Sequence, residues 1–110
     1  MKVAEYVKQG LKNFVEAEEE GLKGSCTEGC HRVTVFVKKE NGKVVDCKFN
    51  ATKRCKKLLA ITDYMCELVK KKGTEPTKEE ILSLFPEEKE RDKMENRADI
   101  ALKALKEALS

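Results

Sequence analysis

The stretch "HRVTVFVKKENGKVVDCKFNA" (His31–Ala51) decides the fold class. Val33, Val35 and Val37 alternate with other residues, and Val45, Cys47 and Phe49 do the same on the return. Alternation at period two marks a strand with one buried face. Between the two runs stands Asn41-Gly42, the dipeptide favoured where both central residues of a tight turn need positive φ. The stretch therefore predicts an antiparallel hairpin over 32–51, with Val45, Cys47 and Phe49 on its core face.

Working outward, the periodicity changes to that of helices. Towards the N-terminus, Val3, Val7, Leu11, Phe14 and Val15 recur at three- and four-residue steps and predict a helix over 2–17. The intervening "EEEGLKGSCTEGC" (Glu18–Cys30) mixes glycines with charges and reads as a loop with a short extended piece at most. On the other side, Leu58, Leu59, Thr62, Met65, Cys66 and Val69 predict a helix from Cys55 to about Lys70, closed by Gly73. Thr77 and Glu80 form a capping-box pattern before a short helix. Pro86 stops that helix and suits the opening of the next. Met94, Ala98, Ala101, Leu102, Leu105, Ala108 and Leu109 give the last helix one apolar stripe. Residues 1–110 thus read as a single α+β domain, a small antiparallel sheet packed against several helices.

Composition narrows the function. The chain has 110 residues, 40% hydrophobic and 39% charged, with net charge +3 and no Trp. That is enough apolar content for one modest core. The near-balanced charge and scarce aromatics give no support to a nucleic-acid partner. Lys2, Glu5 and Lys8 interrupt the place where a secretory leader needs an apolar core. No run approaches transmembrane length. The expectation is a cytoplasmic protein without a membrane partner, its thiols reduced. Five cysteines in such a compartment argue against a disulfide framework and for metal, redox or buried-thiol roles.

The cysteines divide into two groups. Cys47 belongs to a strand face and Cys66 to a helix stripe, and both read as small buried hydrophobes. Cys66 lies roughly 16 Å along the helix from Cys55, so those two cannot share one ion. Cys26 and Cys30 fall in the predicted loop, and Cys55 opens a helix. Those are places that carry chemistry more often than packing. Cys55 sits among Lys53, Arg54, Lys56 and Lys57. Adjacent cations and a helix N-terminus both favour a thiolate, the form that binds metal and attacks sulfur. Against this, cations at a helix start oppose its dipole. His31 ranks below the cysteines as a ligand.

The order of these features resembles the NifU/IscU-type iron–sulfur cluster scaffold domain. The segment "NGKVVDCKFNATKRCKKLLAITDYMCELVKKKG" is similar to the middle of that family's pattern, with Asp46 and Phe49 at matching positions. "PEEKERDKMENRADIALKALKEAL" is similar to its last segment. The resemblance runs from Gly24 to Leu109 and implies a SufE/NifU-like architecture. It implies a non-enzymatic scaffold that holds an iron–sulfur cluster (2Fe-2S), or zinc, through cysteine thiolates. The implied partners are a cysteine desulfurase and iron–sulfur acceptor proteins. Cys55 matches the second family cysteine, and Cys26 or Cys30 the first. Glu28 stands two after Cys26, where the family has its acidic ligand.

The chain also departs from the family. Arg54 and Lys56 flank Cys55 where the family has small residues, and one extra residue separates Asp46 from Cys55. Arg97 stands in the place of the third cysteine, with Asn96 before it. A three-thiolate site would have to be assembled from Cys26, Cys30 and Cys55, with Glu28 as a further ligand. The alternative is a degenerate relative, a non-catalytic binding or regulatory module with a basic surface. A thiol enzyme built on Cys55 ranks last, because His31 is the sole histidine available as a base.

Overall fold

Asn41 (φ 53°) and Gly42 (φ 80°) both lie in the left-handed region, as the hairpin reading requires. They join β2 (His31–Glu40) to β3 (Lys43–Ala51) in the computed structural model, which describes residues 1–110. Val37 pairs with Cys47, Val35 with Phe49 and Val33 with Ala51, and all six are buried. One expectation fails within β3. Lys39 pairs with Val44 and Lys38 with Asp46, so Val45 is the extra residue of a bulge. The bulge turns Val44 into the core and leaves Val45 at 48% exposure.

The segment read as a loop is a third strand. β1 (Leu22–Glu28) pairs antiparallel with β2, Cys26 opposite Val33, through a two-residue turn at Gly29 and Cys30. The sheet is a three-stranded meander in the order β1-β2-β3. β1 lacks an alternating pattern because its one buried residue is Gly24. A Cβ there would stand 2.1 Å from the Ala104 carbonyl oxygen and 2.3 Å from the Ala108 nitrogen. The bare backbone lets the last helix lie directly on the strand.

Two long helices cover one face of the sheet. α2 (Lys56–Lys72) lies against β3, and the last helix, Arg91–Leu109, lies against β1 and β2. Leu58, Ile61, Met65, Cys66 and Val69 meet Met94, Ala98, Ala101 and Leu105 in one continuous core with the sheet valines and Phe49. α3 (Lys78–Leu82) carries the expected capping box, Glu80 N donating to Thr77 Oγ1 at 3.1 Å. The last helix, α4, begins at Arg91 rather than at Pro86. No helix is long and apolar enough to cross a membrane.

The N-terminal helix is shorter than the periodicity predicts. α1 spans Val3–Gln9 and stops at Gly10, whose φ of 100° is not helical. Beyond it the chain runs beside the free edge of β3. Phe49 N donates to the Asn13 carbonyl at 2.9 Å, and Val15 N to the Phe49 carbonyl at 2.8 Å. This closes an edge that would otherwise offer unpaired backbone. Asp63 of α2, fully buried, anchors the segment. It accepts from Asn13 N at 2.8 Å and from the Tyr6 hydroxyl at 2.7 Å. Burial, and then the Asp63 carboxylate, push the Tyr6 hydroxyl well above its usual pKa.

Candidate functional site at Cys55

Cys55 is the N-cap residue of α2, in extended conformation, and its side chain makes no capping hydrogen bond. The side chain is thus free to face its surroundings while the carbonyl starts the helix by accepting from Leu59 N at 3.1 Å. The first turn of α2 carries no acidic residue, so its dipole and its lysines are uncompensated from within. The compensation comes from the start of α4. Glu90 pairs with Lys57 at 3.1 Å and with Lys93 at 2.8 Å. Hydrogen bonds from Lys93, then Lys57, hold its carboxyl down at about 2. Lys53 turns away to Glu16 at 2.9 Å and lies over the Phe14 ring. Of the four cations around Cys55, Arg54 and Lys56 make no ion pair.

The sulfur itself has a partner on α4. Arg97 Nε donates to Cys55 Sγ at 3.4 Å. The same guanidinium donates to Asn96 Oδ1 at 2.6 Å, and Asn96 Nδ2 donates to Glu28 Oε1 at 3.0 Å. One chain of hydrogen bonds therefore runs from Cys55 through Arg97 and Asn96 to Glu28 at the end of β1. It places Glu28 and Cys55 at the same end of the molecule. An open cleft of about 420 Å³ lies there, between Val3 and Ala4 on one side and Arg54, Cys55, Lys93 and Arg97 on the other.

The remaining candidates occupy different settings. Cys26 is on a strand, not a loop, half-buried and packed against the core. Cys30 is exposed in the β1–β2 turn, and His31 begins β2. No three of the histidine, cysteine, aspartate and glutamate side chains stand close enough together to hold a metal ion. Cys26, Cys30, Cys55 and Glu28 thus do not form a closed ligand set in this arrangement. Cys47 and Cys66, both read as packing residues, are fully buried, and their sulfurs meet at 3.1 Å.

No family model and no curated sequence matches the chain. Solved structures do match. One is described as an iron–sulfur cluster assembly scaffold protein of the SUF system from the thermophile Fervidobacterium islandicum. It shares 20% identity over 98% of this chain and 93% of its own, with a TM-score of 0.59. A second, described as a hypothetical protein, shares 20% identity over 97% and 93%, with a TM-score of 0.54. At this identity the likeness establishes the fold. The α+β architecture expected from the scaffold resemblance is the one observed.

Proposed function

We propose that this protein has a scaffold-like, non-enzymatic role in iron–sulfur cluster assembly. It exercises that role through Cys55 at the mouth of a basic cleft, not through a preformed three-thiolate centre. The observation that supports this is the Arg97 guanidinium on the Cys55 sulfur. Soft metal ions and clusters need converging thiolates. By the scaffold resemblance, Arg97 takes the place of the third thiolate, and its guanidinium touches the sulfur. The Cys55 sulfur instead accepts an N–H···S contact from the guanidinium. The unpaired Arg54 and Lys56 would meet an anionic cargo or the acidic surface of a partner such as a cysteine desulfurase.

A second reading keeps the cargo on the protein. The hydrogen-bond chain from Cys55 to Glu28 supports it, because it brings an acidic ligand to the same end as the thiol. In that reading Arg97 swings away, and Cys55 takes a cluster or zinc with Glu28 and with Cys26 or Cys30.

Anaerobic purification followed by zinc and iron assay and cluster reconstitution separates the two. The first reading expects well under one metal per chain, and binding to a SUF-type desulfurase that weakens in Cys55→Ser and Arg54→Glu. One equivalent of metal in the wild type, lost in Cys55→Ser, would establish the second. Neither metal nor desulfurase binding would sink both.

A further inference from the structure

We propose that Cys47 of β3 and Cys66 of α2 are a disulfide-forming pair, closed by a small-molecule disulfide acting as oxidant, that cross-links the sheet to the helix. The two sulfurs are 3.1 Å apart, and both residues are fully buried. Closing that contact to a covalent bond needs roughly 1 Å of travel. The residues around them are the packed core of the domain, among them Val37, opposite Cys47 in the sheet, and Val69 on the same helix. The geometry is therefore held by the fold and does not depend on a mobile loop. None of the other three cysteines has another sulfur in hydrogen-bonding contact, so the pairing is selective.

The chemistry balances without a metal. One protein thiolate attacks the oxidant's S–S bond, forms a mixed disulfide and releases one small thiolate. The second protein thiolate attacks the protein sulfur of that mixed disulfide and releases the other. Two protein thiols lose two electrons and two protons, and the oxidant is reduced to two thiols. Burial pushes the Cys66 thiol up, so the folded, reduced protein reacts slowly. The bond forms while the chain folds or when α2 lifts from the sheet, and once formed it is shielded from reductants.

The pair brackets the working thiol. The residues are nineteen positions apart, and Cys55 lies in the segment between them. A cross-link would tie β3 to the second half of α2 while leaving the Cys55 sulfur free.

The test is to unfold the reduced protein, refold it in a glutathione/glutathione disulfide buffer, then denature and alkylate. The expected result is a fall from five alkylated thiols to three, with peptide mapping that joins the Cys47 and Cys66 segments. The oxidised form should melt at a higher temperature than the reduced form, and this redox dependence should vanish in Cys47→Ala/Cys66→Ala. Five alkylated thiols after oxidative refolding, or a cross-link mapping to Cys26, Cys30 or Cys55, would overturn the proposal. The thiol count is made on the wild-type chain, so it stands even where the double variant folds poorly.

Discussion

Arg97 Nε stands 3.4 Å from Cys55 Sγ, joining residues forty-two positions apart and tying the start of α2 to the first half of α4. The contact puts a cation on the thiol, at the position that the scaffold resemblance gives to a third cysteine. It also explains why a thiol among cations persists at a helix start. Glu90 relieves the lysine charge, and Arg97 is bound on both sides, to sulfur and to the Asn96 amide.

Replacing that one residue should change what the site can hold. Arg97→Cys supplies a thiolate next to Cys55 and removes the competing cation. Zinc affinity, measured by competition with a chromogenic chelator, should rise by more than about tenfold, the scale on which even outer-shell changes act. Arg97→Ala should give no comparable rise, because it removes the cation without adding a donor. Equal affinities in all three proteins would mean that position 97 does not face the thiol in solution.

The Glu90 cluster gives the site an acid-side dependence. Its carboxyl is held at about 2, below the ordinary carboxylate value of 4.5. A group whose pKa is depressed on folding contributes stability above its unfolded value, and that contribution is lost as pH falls through the folded one. Wild-type stability should therefore decline between about pH 5 and pH 2 more steeply than that of Glu90→Gln. Glu90 is about half exposed, so the difference should shrink as salt is added. Parallel pH profiles in low salt, from chemical denaturation, would contradict the pairing with Lys57 and Lys93.

The sequence made the hairpin, the cap of α3 and the long helices legible because each rests on a local signal. Asn41-Gly42 specifies its own turn, and Thr77 with Glu80 specifies its own cap. β1 was illegible for the opposite reason. Its only buried residue is a glycine, and what makes Gly24 right is the backbone of α4 eighty residues away. The sequence pattern overextends α1 because Leu11, Phe14 and Val15 continue a helical spacing. Their burial is decided instead by the β3 edge and by Asp63. At the site, the position of Cys55 was readable from the period change, while Arg97 was visible only through the family resemblance. Cys47 and Cys66 were each readable as buried. Their contact was not, since it depends on how far α2 slides along β3.

The close approach at Gly24 should be the least tolerant position of β1. Alanine places a Cβ within 2.3 Å of two backbone atoms of α4, which cannot yield as a side chain would. Overpacking of this kind costs about 1–3 kcal/mol or more. Gly24→Ala should show it as a lower denaturation midpoint. Gly29→Ala has open space for its Cβ, so any cost there comes from its φ of 60° alone and should be smaller. Equal losses at the two positions would count against direct contact between β1 and α4.

Asp63 tests whether the N-terminal segment is held from inside the core. Its two carboxylate oxygens receive the Tyr6 hydroxyl and the Asn13 amide, and Asn13 is itself 2% exposed. Asp63→Ala leaves the buried Asn13 amide without its acceptor, at about 1–3 kcal/mol, and the half-buried Tyr6 hydroxyl without one at a smaller cost. Tyr6→Phe removes one donor and leaves the carboxylate its contacts with Asn13, so its cost should be the smaller. In the double variant the losses should fall short of additive, because the Tyr6 hydroxyl is orphaned only while it is present. The consequence should also be visible locally. The Phe49 amide is protected by the Asn13 carbonyl and the Val15 amide by the Phe49 carbonyl. Hydrogen exchange at both should quicken in Asp63→Ala, while Val35 and Val37 at the centre of the sheet change only with global stability. If all four amides accelerate together, Asp63 supports the whole domain, and the segment over 10–15 does not open on its own.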